Sequence, residues 1–122
     1  MPVVIADKKK LSGTVAPGAL NQETTVVEVG PASDDWMVEG YIDLSGLQSG
    51  DTVVVNEYVA LDGGNYRLLY SATVTGPPTE PAIRFHTKTL LATMKYKVTV
   101  TQTAGTPRSV SYYFITETMG TV

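Results

Sequence analysis

Thr93-Met94-Lys95-Tyr96-Lys97-Val98-Thr99-Val100-Thr101-Gln102-Thr103, then Ala104-Gly105-Thr106-Pro107-Arg108, then Ser109-Val110-Ser111-Tyr112-Tyr113-Phe114-Ile115-Thr116-Glu117-Thr118 is the stretch that decides the fold. In its first part Met94, Tyr96, Val98 and Val100 alternate with Lys95, Lys97, Thr99 and Thr101. A period of two with one apolar face is the pattern of a half-buried strand. Residues 104–108 carry turn chemistry. The second part places Val110, Tyr112 and Phe114 on one face. A hairpin with one apolar face needs a second sheet to cover it.

Working outward, the rest of the chain supplies that sheet. Thr24–Val29 is rich in Thr and Val and reads as the first convincing strand. Trp36–Leu44 puts Trp36, Val38, Ile42 and Leu44 on a face with Gly40. Asp51–Leu61 follows, with Asn56 and Glu57 interrupting both faces so that its inward side is undecided without a bulge. Tyr66–Thr75 sets Tyr66, Leu68, Tyr70, Ala72 and Val74 in one register. Three prolines in Gly76–Pro81 exclude regular structure there. Ala82–Lys88 turns Ile83 and Phe85 inward. The expectation is an all-β, seven-stranded antiparallel β-sandwich over residues 24–122. It is immunoglobulin-like, with a jelly roll as the alternative because one missed strand changes the topology. Residues 1–23, broken by Gly13, Pro17 and Gly18, are expected to form an extended N-terminal arm, with room for a short strand at Pro2–Ala6. Leu90 and Tyr96 stand six apart before Val98 and Val100. That spacing resembles the tyrosine corner of immunoglobulin and fibronectin type III domains, which would bond the Tyr96 hydroxyl to backbone upstream.

The bulk properties narrow the function. At 122 residues without cysteine, the chain is one domain with a core that needs no disulfides. Formal charge is −3, divided between a basic start (Lys8, Lys9 and Lys10 against Asp7) and an acidic remainder. An acidic body does not suit nucleic acid. Val3-Val4-Ile5-Ala6 is too short for a membrane span or a signal-peptide core. His86, the single histidine, alternates with Phe85 and points outward beside Arg84 and Lys88, with no orienting partner. Asp34 and Asp35 form a loop pair, and Asp62-Gly63-Gly64-Asn65 fits a hairpin loop better than a calcium site. No catalytic residue, metal site or cofactor is expected. Tyr41, Tyr58 and Tyr113 are candidate exposed binding aromatics, able to stack on sugar rings or fill a protein interface.

Two segments carry a resemblance. Asp43-Leu44-Ser45-Gly46-Leu47-Gln48-Ser49-Gly50-Asp51-Thr52-Val53 has a Leu-x-x-Gly-Asp cadence, and Tyr96–Arg108 reads Tyr-x-Val-Thr-x-x-Gln-Thr-x-Gly-Thr-x-Arg in outline. Together, over roughly residues 36–118, they resemble small proteins encoded near head genes by tailed phages and related archaeal viruses. The resemblance implies a virion structural role. The expected function is a non-enzymatic capsid decoration (cement) protein, made in the host cytoplasm without a signal peptide and placed on the capsid surface. Its partners would be the major capsid protein and other copies of itself, in a symmetric homo-oligomer such as a trimer. No nucleic acid or membrane would be involved. Val3, Val4, Ile5, Lys8, Lys9, Lys10 and Leu11 would then form the arm contact with a neighbour. The alternative is an immunoglobulin-like module recognising glycan or a surface protein through the exposed tyrosines, on a tail, a fibre or a cell surface.

Overall fold

A computed structural model describes residues 2–121. Eight strands are present: β1 (Val3–Val15), β2 (Thr24–Val29), β3 (Trp36–Asp43), β4 (Thr52–Ala60), β5 (Tyr66–Thr75), β6 (Ala82–Leu90), β7 (Lys95–Ala104) and β8 (Val110–Thr121). They form two four-stranded antiparallel sheets, one in the order β1-β8-β3-β6 and the other β2-β7-β4-β5. The pairs β1–β8, β2–β7, β3–β6 and β4–β5 are those of one long hairpin with β4–β5 at its tip. Rolling that hairpin up places successive pairs alternately in the two sheets. This is the eight-stranded jelly-roll winding, not the seven-stranded immunoglobulin-like one.

The difference from the sequence expectation comes from β1. Residues 3–15 pair with β8 from Val3 opposite Thr121 to Val15 opposite Val110. The expected extended arm is thus, over most of its length, an edge strand of a sheet. Its residues Val3–Lys10 are exposed on both faces, and only Leu11 and Val15 pack against the core. A strand held by its ladder, without a buried face, has no period of two to read.

The core lies between the sheets and is built as the alternation predicts. Trp36, Val38, Ile42, Phe85, Phe114, Tyr96, Val98 and Val100 are all buried. Tyr112 packs half-buried against them. Gly40 has a steric role: a Cβ there would lie 2.3, 2.4 and 2.7 Å from three carbons of the Phe114 ring. The ring thus rests on bare backbone, 5.5 Å centroid to centroid from Phe85.

Bulges settle the strands that the pattern left open. In β4 the inward set is Val53, Val55, Glu57 and Val59, all buried. In β5 an extra residue, Leu69, falls between the pairs Glu57–Tyr70 and Tyr58–Leu68. The single register expected for β5 is therefore split. Tyr70, Ala72 and Val74 lie opposite the inward residues of β4, while Leu68 lies opposite the outward Tyr58. In β6 the register shifts between Val38–Lys88 and Gly40–Phe85, which turns Lys88 inward instead of outward beside His86. His86 itself is exposed, as expected.

The tyrosine-corner expectation is corrected as well. Tyr96 is fully buried, but its hydroxyl donates to the Glu57 carboxylate rather than to upstream backbone. A buried carboxylate within reach is the stronger acceptor. Leu90 is buried beside it, and Trp36 Nε1 donates to the Leu91 carbonyl at 3.2 Å.

Candidate interaction surface

The two segments that carried the family resemblance meet in space. Asp51 is 1% exposed, and its carboxylate accepts from the backbone N–H of Gln48 (2.8 Å) and Thr106 (3.1 Å) and from Arg108 Nε (2.8 Å). Gln102 is fully buried; its Nε2 donates to the carbonyls of Ala104 and Thr106, and its Oε1 accepts from Arg108 N–H. These two side chains pin the β7–β8 turn. Gly105 sits at φ 85°, and a Cβ there would fall 2.0 Å from Asp51 Oδ1. These residues are accordingly a turn lock.

Backbone donation from Gln48, then the Arg108 side chain, holds the Asp51 carboxyl below the ordinary carboxylate range. Hydrogen bonds from Asn65 and Gly64 do the same for Asp62. A carboxyl depressed in the folded state stabilises the fold above its unfolded pKa, and that stabilisation is lost as pH falls through the folded value. The thermal midpoint is expected to drop as pH falls below about 4, near the unfolded Asp value. In Asp51→Asn, already less stable at neutral pH, the drop should be shallower. Equal slopes for both proteins would show that Asp51 is not the group responsible.

The expected site residues divide among three places. Tyr41 and Tyr113 lie directly opposite each other on β3 and β8, 48% and 55% exposed on the outer face of the first sheet. They border an open depression with Lys10, Ser12 and Glu39. Tyr58 belongs elsewhere. It is half-buried on the outer face of the second sheet, donating to Glu23 at 2.7 Å. There it shares Lys97 with Tyr66: the ammonium lies 5.2 Å and 4.4 Å from the two ring centroids. Tyr66 in turn donates to Glu28. Tyr58 is spent on this cluster and does not join Tyr41 and Tyr113.

Val3, Val4 and Ile5 are 66%, 40% and 54% exposed on the paired ends of β1 and β8. Lys8, Lys9 and Lys10 follow, exposed along the same strand. Asp35, one of the loop carboxylates, accepts from Ala92 N–H at 3.1 Å and serves the loop. No group of three metal-ligating side chains occurs among the described residues.

Sequence reasoning missed a third surface. On the side where β5 and β6 end their sheets, the sandwich is open. Leu61, Leu68, Leu69 and Tyr70 are exposed along it, next to Arg84, His86 and Lys88. The buried Glu57 closes its floor, 2.8 Å from Lys88 Nζ. The signal was the run Arg67-Leu68-Leu69-Tyr70, which is apolar on both sides of a strand.

No protein-family model and no curated protein matches the sequence. Solved structures do resemble the chain. A chain from work titled "Bacillus endospore appendages form a novel family of disulfide-linked pili" is 17% identical, covers 95% of this chain and 88% of its own, and has a TM-score of 0.54. A chain of an infectious bursal disease virus VP2 subviral particle is 13% identical with a TM-score of 0.45, and this chain spans 32% of it. At such identities the likeness is one of fold. A disulfide link is not open to this sequence, which has no cysteine.

Proposed function

We propose that the chain is a non-enzymatic structural subunit that associates with other copies of itself, and that its finer role is capsid decoration on a virion. The observation that carries this reading is the ribbon made by the start of β1 and the end of β8. It exposes Val3, Val4 and Ile5 together, in a strand with no buried face over those residues. Large apolar side chains held rigid and wet at one end of a small domain are the makings of a contact. The neighbours in a pilus and a virus particle support the same reading at the level of fold.

The structure also sets how it should be tested. Deleting residues 1–22 would strip β8 of one of its two partners and remove Leu11 and Val15, which pack against the core. Substitution within the ribbon avoids this. Light scattering on the full chain should give a mass above the 13.1 kDa of one copy. Val3→Ser with Val4→Ser and Ile5→Ser should lower that mass without changing the far-ultraviolet circular dichroism. A full chain that remains a single copy at millimolar concentration, with the triple variant indistinguishable from it, would end this reading.

The pair Tyr41 and Tyr113 supports a second reading, recognition of glycan or a surface protein by the outer face of the first sheet. Two exposed rings on adjacent strands offer the flat area that a sugar ring stacks on. Tyr41→Ala should then abolish glycan-array binding while leaving the melting temperature in place. An array that stays blank for the parent chain removes this reading.

A further inference from the structure

The four edge strands are not equally protected. Free edges present unpaired N–H and C=O groups, and proteins ordinarily guard them with charge, proline, bulges or shortness. β1 carries Lys8, Lys9 and Lys10. β2 is six residues long and is followed by Pro31. β6 carries Arg84 and is irregular around His86 and Thr87. β5 is ten residues long, has no proline and no lysine, and its only charge is Arg67 near one end. It pairs with β4 alone and is exposed at Leu68, Leu69, Tyr70, Ser71, Thr73 and Thr75.

We infer that the free edge of β5 is a contact between two copies of this chain, in which Tyr70–Val74 pairs antiparallel with the same segment of a second copy about a two-fold axis through Ala72. The bulge at Leu69 ends the regular ladder on one side and so confines the pairing to the segment that follows it. Within that segment the sequence is complementary to itself. With Ala72 on the axis, Tyr70 of each copy faces Val74 of the other, an aromatic opposite a β-branched residue. Both belong to the inward face, opposite Glu57 and Val53 of β4, so the pair extends the apolar layer of the sheet. Ser71 faces Thr73 on the outward side, a hydroxyl pair that needs no burial. Ala72 meets Ala72, where a small residue lets two strands approach. Antiparallel pairing also carries the two Arg67 side chains to opposite ends, whereas parallel pairing would stack them. This self-complementarity identifies the occupant as a second copy rather than an unrelated strand.

The contact deepens the structural-subunit reading and uses residues distant from the β1 ribbon, so the two fail separately. Light scattering on the full chain across the micromolar to millimolar range should show a two-copy species. Ser71→Lys with Thr73→Lys sets lysines directly opposite one another across the axis, and both sites are exposed in the single copy. That variant should raise the dissociation constant about tenfold or more with an unchanged melting temperature. Ala72→Cys is a second readout that a stability change cannot imitate. The chain has no other cysteine, so under mild oxidant this variant should run as a covalent dimer on a non-reducing gel, while Ser12→Cys on β1 should not. A mass that the double-lysine variant leaves unchanged overturns the β5 contact. So does an assembly that dissolves only on substitution of Val3, Val4 and Ile5, which would leave the ribbon reading standing. A chain that is a single copy at every concentration overturns both.

Discussion

Glu57→Ala should cost about 3–5 kcal/mol of folding stability, measured by urea unfolding at neutral pH. Glu57 is 3% exposed, lies 2.8 Å from Lys88 Nζ, and accepts from the buried Tyr96 hydroxyl. Truncation leaves an ammonium and a phenol facing the space where the carboxylate stood. The phenol is fully buried, and the ammonium, on a side chain 19% exposed, keeps only the His86 carbonyl, so the lost acceptor is expensive. Burial first, then the Glu57 carboxylate beside it, already holds the Tyr96 hydroxyl above the ordinary phenol range. The cost belongs to breaking the set rather than to having it. Replacing all three members by apolar residues of similar volume (Glu57→Leu, Lys88→Met, Tyr96→Phe) should recover most of the loss. If Glu57→Ala unfolds within about 0.5 kcal/mol of the parent, a cost typical of exposed sites, the carboxylate is not the anchor described here.

Gly40→Ala is the second large expected effect. A single added methyl would penetrate the Phe114 ring, with three ring carbons inside 2.8 Å of it. The ring is hemmed in by Phe85 and Tyr96, at centroid distances of 5.5 and 6.4 Å, and cannot swing away freely. Overpacking of a filled core costs roughly 1–3 kcal/mol, and this site should sit at the upper end. Phe114→Leu frees room for the methyl. The pair Gly40→Ala with Phe114→Leu should therefore be less destabilised than the two single losses added together, by about 1 kcal/mol. Simple additivity would mean that the ring does not rest on the Gly40 backbone.

What could be read from the chain, and what could not, follows one rule. Strands that bury one face announce themselves. Trp36, Val38 and Ile42 on β3, and Tyr96, Val98 and Val100 on β7, all lie where alternation put them. Features that depend on contacts distant in sequence stay silent. β1 buries almost nothing, so its lysines read as a tail; its partner lies at the other end of the chain. Missing that one strand turned an eight-stranded roll into a seven-stranded sandwich. The bulges at Leu69 and around His86 shift the parity of β5 and β6, and no local cue marks them. Tyr58 shows the same limit at the level of the site. Its sequence neighbours leave it facing outward, yet its fate is fixed by Glu23 just before β2 and by Tyr66 and Lys97 on other strands. The segments around Asp51 and Gln102 were visible as spelling, but their purpose appears only when residues 51 and 102–108 are brought together.

The pairing of β1 with β8 has a consequence for how the molecule comes into being. β1 is matched to β8, the pairing most distant in sequence among the described strands, so its ladder cannot close until β8 has been made. The same holds in diminishing degree for β2 with β7 and β3 with β6, while β4–β5 alone is local. Chains dominated by such distant pairings fold in roughly milliseconds to seconds, slowly for their size. For that interval the lysines of β1 place like charge on an unpaired strand, which disfavours edge-to-edge association.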